Sequence, residues 1–155
     1  MEWSESIVVN RPLQQVQQAI ADENELMRWS AWPQATGFTC AVDGDGTSLG
    51  SAIVFRNAKG MEQGRQRLTL VSPDRVEYRQ RNRGPGGREM TPEVDYRLEP
   101  AGPAATLVHL DFRAAAPLPP GLRQLAETML GRRVRALHVK DLELLKAHVE
   151  QQPAS

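Results

Sequence analysis

The stretch "PPGLRQLAETMLGRRVRALHVKDLELLKAHV", residues 119–149, decides the fold, because nothing else in the chain repeats at helical spacing for so long. Two prolines open it, which suits a first helical turn where the missing N–H has no partner to lose. Leu118, Leu122, Leu125 and Met129 form one apolar stripe. Leu130, Val134, Leu137, Leu142, Leu145 and Val149 continue it on a shifted track, and the spacing predicts one helix of roughly thirty residues, on the order of 45 Å long. A helix of that length needs a broad apolar surface to lie against.

The segments before it supply one. GFTCAVD, SAIVFRN, RQRLTLVS, DRVEYRQR, EVDYRLEP and ATLVHLDFRA are short, alternate in polarity and are separated by turn signals such as DGDGTSLG, NAKG, SPD, RGPGG and PAGP. Val76, Tyr78 and Gln80 share a face, as do Val94, Tyr96 and Leu98, and Val108, Leu110 and Phe112. The other faces carry Glu77, Arg79, Asp95, Arg97, His109, Asp111 and Arg113, the pattern of an antiparallel sheet with one wet side. Upstream, WSESIVV reads as a strand, and PLQQVQQAIADENELMRW as two short helices meeting at Ala21–Asn24. The expected order is therefore strand, two short helices, six strands and one long helix, in an α+β fold. The domain is expected to span 1–150, with 151–155 a disordered tail.

The chain has 155 residues with 19 acidic and 19 basic side chains and a pI near 6.8. At this size roughly 70% of the unfolded surface can be buried in a single core. A balanced charge gives no field favouring nucleic acid or an anionic membrane. The opening MEWSESIVVNRP does not read as a targeting peptide, and no window approaches a membrane span, so a cytoplasmic protein is expected. A single cysteine, Cys40, rules out an internal disulfide and any two-cysteine metal motif.

The opening strand ending in N-R-P, the corner W-S-A-W-P, the run of hairpins, D-Y-R-L-E-P before T-L-V-H-L, and the closing L-E-L-L-K-A-H-V-E together resemble the START-like, helix-grip superfamily. The nearest branch is the bacterial polyketide cyclase/dehydrase and lipid-transport-like group. The resemblance implies a curved seven-stranded antiparallel sheet wrapped around the long helix, with an elongated apolar cavity between them. It also implies hydrophobic or aromatic ligands. In such proteins a tryptophan-rich segment follows the first helix pair. By that likeness Trp32 sits beside the cavity and Trp29 packs beneath the helices, with Pro33 restricting the chain between Trp32 and the sheet.

The expected ligand-binding set is Trp32, Phe38, Cys40, Phe55, Tyr78, Tyr96, Phe112, Leu125 and Met129, with Leu68, Leu70 and Leu110 on the same sheet face. Gly131, costly within a helix by roughly 1 kcal/mol, coincides with the shift in the apolar stripe. The helix before it, with Leu122, Leu125 and Met129, is expected to line the cavity, and the part after it to anchor the sheet. No cofactor or metal is expected: DGDGTSLG has Ser48 where a calcium loop needs glycine and Val54 where it needs glutamate, and RGPGG lacks the residues of a phosphate loop. Arg79 and Arg81 alternate with Tyr78 and Gln80, so cations and ring face opposite ways and no nucleic-acid platform forms.

Three functions compete: a carrier of a hydrophobic small molecule, a cyclase or aromatase-type enzyme, and a protein-interaction module, with a protein partner or homodimer open. The inner face offers tyrosines, a glutamine and a cysteine but no Asp, Glu or His, which favours binding over proton-transfer chemistry. Glu62 and Arg88 are the loop residues expected to reach the cavity mouth.

Overall fold

The computed structural model describes the backbone of residues 1–155 and every side chain except that of Pro85. The elements run β1 (Glu2–Val9), α1 (Leu13–Ala21), α2 (Glu23–Trp29), α3 (Trp32–Thr36), β2 (Thr39–Asp43), β3 (Ala52–Arg56), β4 (Glu62–Ser72), β5 (Arg75–Arg83), β6 (Glu89–Met90), β7 (Glu93–Pro100), β8 (Thr106–Arg113) and α4 (Pro120–Glu150). The sheet order is β1-β8-β7-β5-β4-β3-β2, antiparallel throughout, with the two-residue β6 attached to β5. This is the expected α+β helix-grip architecture. A third short helix, α3, and the strand β6 are additions to it. Pro33 inside the first turn of α3 is well placed there, since its nitrogen has no helical acceptor to miss.

The core lies between the sheet and the helices. Val108 and Leu110 of β8, Leu68 of β4 and Val76 and Tyr78 of β5 are sealed from solvent with Val16 and Ile20 of α1 and Leu145 and Val149 of α4. Each such aliphatic side chain contributes about 1.5–3 kcal/mol relative to exposure. On the outer face Arg75 grips Asp95 with two nitrogens, Arg97 meets Asp111 at 2.6 Å and Arg81 meets Glu89 at 2.8 Å. These solvated pairs satisfy charge and contribute little stability individually.

One local irregularity moves a residue expected inside. The β4–β5 register shifts between Leu68 and Leu70, so Leu68 faces Tyr78 but Leu70 faces Glu77. Directly paired residues share a face, and the bulge at Thr69 therefore turns Leu70 to the wet side. Residues 151–155, expected as a disordered tail, fold back on the body. Arg11 donates to the carbonyls of Glu150 and Gln152, and Gln15 donates to Pro153 O at 2.9 Å and accepts from Ser155 N–H at 3.2 Å.

Candidate functional site

A cavity of about 350 Å³ lies between the inner sheet face, the α2–α3 corner and the middle of α4. Its walls include Trp32, Phe38, Cys40, Phe55, Tyr96 and Phe112, six of the nine residues expected to bind ligand. Phe55 of β3 and Cys40 of β2 are direct cross-strand partners, and Tyr96 and Phe112 lie on the adjoining strands β7 and β8. Phe112 stacks on Trp3 with ring centroids 4.5 Å apart and an interplanar angle of 21°.

The other three expected residues lie elsewhere. Tyr78 is 0% exposed and its hydroxyl donates to Ile20 O at 2.7 Å, closing an orphan carbonyl at the end of α1. It belongs to the solid core beneath α1. Leu125 and Met129 are 62% and 70% exposed, and neither lines the cavity. Leu122 is also exposed. The expected division of α4 at Gly131 holds only in part: the segment beyond Gly131 anchors the core through Leu142, Leu145 and Val149 as expected, but Leu130, Val134, His138 and Asp141, rather than Leu122, Leu125 and Met129, form the cavity wall. Gly131 itself is where β1 comes close, since a Cβ there would meet Met1 Sδ at 3.5 Å and the Trp3 ring at 3.6 Å.

The two tryptophans of the corner divide their work. Trp29 is buried with its indole N–H donating to Ala19 O at 3.0 Å, which locks α2 onto α1. Trp32 lines the cavity, its ring centroid 5.7 Å from that of His138. Cys40 also faces the cavity, where burial pushes its thiol above the ordinary value, the opposite of what a nucleophile requires. Gln80 lines the mouth in a polar ladder, donating to Gln66 Oε1 at 2.6 Å and accepting from Asn82 at 2.8 Å. Glu62 is instead held by Arg65 at 2.8 Å, and Arg88 donates to Pro117 O, so neither forms part of the wall.

Sequence reasoning missed the titratable groups of this cavity. Asp141 is almost wholly buried in the wall. Ala31 N–H donates to its Oδ1 at 2.7 Å and the Ser30 hydroxyl approaches both oxygens at 3.1 and 3.2 Å. Burial outweighs these donors and raises its pKa to about 7. His138, packed among Trp3, Trp32 and Phe112, is lowered to about 4 by the same cause, so its ring is neutral at pH 7. The Trp3 indole N–H donates to His138 Nδ1 at 3.1 Å. A readable signal existed: positions 130, 134, 138, 141, 145 and 149 keep the helical spacing of one buried face, with His138 and Asp141 as its polar members.

Fold and site together define a helix-grip domain with an apolar, aromatic-walled cavity and a small set of polar groups. The match to the family described as polyketide cyclase / dehydrase and lipid transport covers residues 2–150, and the chain belongs to that family. Membership supports a general ligand-binding or cyclase-type role. No curated protein matches the chain in sequence.

Among solved structures, protein CV1439 from Chromobacterium violaceum is similar with 21% identity, 96% of each chain covered and a TM-score of 0.65. A conserved protein from Geobacillus kaustophilus is similar at 12% identity, covering 97% of this chain and 96% of its own, with a TM-score of 0.69. DynU16, a putative protein of the dynemicin biosynthetic locus, has 19% identity and a TM-score of 0.62; the match covers 96% of this chain and 47% of that one. These likenesses establish the fold. Among the described residues, no helix is long and apolar enough to cross a membrane, and no group of three or more His, Cys, Asp or Glu side chains is placed to hold a metal ion.

Proposed function

We propose that the protein binds a hydrophobic or aromatic small molecule in the cavity between the sheet and α4. The observation that carries this reading is the cavity itself: about 350 Å³ walled by Trp32, Phe38, Phe55, Tyr96 and Phe112, within the range typical of small-molecule sites. Native mass spectrometry of the purified protein tests it, with extraction and identification of co-purifying small molecules and a titration panel of lipids and polycyclic aromatics. Bound mass released on denaturation, or saturable one-to-one uptake of panel members, is expected. A protein that arrives empty and takes up nothing across the panel contradicts the reading.

Asp141 supports a second reading, a cyclase-type enzyme. A carboxyl titrating near pH 7 in an aromatic cavity is matched to proton transfer at a carbonyl-bearing substrate. Family membership agrees with it in general terms. The discriminating measurement is turnover of a poly-ketone substrate by wild type and by Asp141→Asn. Loss of product with retained binding supports the enzyme; no product from either protein leaves binding alone.

A further inference from the structure

Where His138, Asp141 and Tyr96 line it the cavity is polar, and the hydrogen bonding there is incomplete in a directional way. Trp3 Nε1 can only donate, so His138 Nδ1 must be its acceptor. A neutral imidazole that accepts at Nδ1 carries its proton on Nε2. The Trp3 contact therefore fixes a tautomer whose remaining ring nitrogen is an N–H donor. Tyr96 differs from Tyr78 in the same respect. The Tyr78 hydroxyl is taken by Ile20 O, whereas no described group hydrogen-bonds the Tyr96 hydroxyl.

Both side chains line the cavity. Among the described residues, Glu23 Oε1 and Oε2 are the sealed side-chain polar atoms without a partner. Tyr96 Oη and His138 Nε2 are not sealed in that sense, and the space their side chains share is the cavity. Asp141, whose charge acts on the Tyr96 hydroxyl, lies at the same end.

We propose that Tyr96 O–H and His138 Nε2–H form a two-donor recognition site for an uncharged hydrogen-bond-accepting oxygen, a ketone or similar carbonyl, on an aromatic ligand. The proposal rests on the cavity-binding reading above and adds the chemistry of the ligand. Two donors converging on one oxygen suit its two lone pairs, and a buried donor left unpaired is unfavourable, so the site discriminates against a ligand lacking that oxygen. A carboxylate is disfavoured at this end. Asp141 adds an acid or, above its pKa of about 7, a like charge, never a counter-ion; the Met1 ammonium is taken by Ala114 O at 2.7 Å and Glu127 at 3.4 Å, and Arg83 is an exposed residue of the wall. Trp3 is a positioning residue, acting through His138.

The test compares three probes of one shape at pH 8 by isothermal titration: 2-acetylnaphthalene, 2-ethylnaphthalene and 2-naphthoate. Wild type is expected to bind the ketone about tenfold more tightly than the ethyl compound, the scale of one well-made hydrogen bond, and naphthoate more weakly than the ketone. Tyr96→Phe should shrink the ketone's advantage over the ethyl compound severalfold, the His138 donor remaining. Equal affinity for ketone and ethyl compound, or naphthoate binding as tightly as the ketone, overturns the two-donor site while the cavity reading stands. Binding of none of the three overturns both. Nitrogen-15 NMR of the ring gives a readout independent of ligand and of Tyr96→Phe folding: His138 should be an Nε2–H tautomer at pH 8 in wild type and lose that fixed preference in Trp3→Phe. An Nδ1–H tautomer in wild type overturns the proposal.

Discussion

Ala31 and Asp141, 110 residues apart in sequence, meet through a 2.7 Å hydrogen bond from the Ala31 N–H to the Asp141 carboxylate oxygen. The contact ties the corner that carries Trp32 to the middle of α4 and sets the two walls of the cavity against each other. It is made by a carboxyl that burial holds near pH 7, which gives the joint a pH dependence.

Between the ordinary value of 3.8 and about 7, the folded chain keeps a proton on Asp141 that the unfolded chain has released. The contribution of Asp141 is therefore fully present below about pH 3.8 and is lost as pH rises through 7. Asp141→Asn keeps an acceptor for Ala31 and cannot ionise. Its stability relative to wild type should rise with pH from 4 to 8, by on the order of 2–4 kcal/mol in total. His138, depressed from 6.5 to about 4, works in the opposite direction but is common to both proteins. Parallel denaturant titrations at several pH values measure the gap, and a pH-independent difference would contradict the assignment.

Glu23, at the start of α2, offers a cleaner gain in stability. Both its carboxyl oxygens are buried without a hydrogen-bond partner, and the nearby Ser51 hydroxyl accepts from Gly46 N–H at 2.9 Å. Desolvation raises its pKa to about 7. Glu23→Gln removes the charge and should stabilise the fold by about 1–2 kcal/mol at pH 8, with a much smaller effect at pH 5 where wild type is protonated. Thermal melts at the two pH values check this; an equal shift at both would count against it.

Leu125→Ala and Met129→Ala should each change stability by less than about 0.5 kcal/mol and leave probe binding as in wild type, since both side chains are in solvent. Leu130→Ala and Val134→Ala remove wall atoms and should alter probe affinity severalfold. A ligand response confined to the first pair would put the cavity against the segment before Gly131 instead.

Trp32→Phe should lose much of the fluorescence change that a ligand causes, because Trp29 and Trp3 are not part of the cavity wall, Trp29 keeping its indole on Ala19 O and Trp3 on His138. Steady-state emission during titration reads this directly, and an undiminished change would remove Trp32 from the site.

The fold was legible because its signals are local. Period-two segments with turn residues between them and one long helical repeat leave few architectures open, and the strands from β2 to β8 lie where alternation puts them, except the two-residue β6. What escaped was set by pairings across the chain. The bulge at Thr69 turns Leu70 outward through its partner strand, a displacement that alternation within β4 does not encode. On α4 the exposed stripe of Leu122, Leu125 and Met129 is purely apolar, while the buried stripe contains His138 and Asp141, so hydrophobicity alone selects the wrong face. Trp3 and His138 are 135 residues apart, and only the packing of β1 on α4 brings them together.

Uptake of a hydrophobic molecule by the cavity is measured by fluorescence titration with the neutral probe N-phenyl-1-naphthylamine against wild type and Val134→Trp, a substitution that fills the cavity from α4. Saturable one-site binding by wild type is expected, with its loss in a variant whose circular dichroism and melting temperature stay close to wild type. No saturable binding by wild type, or undiminished binding by folded Val134→Trp, would contradict it.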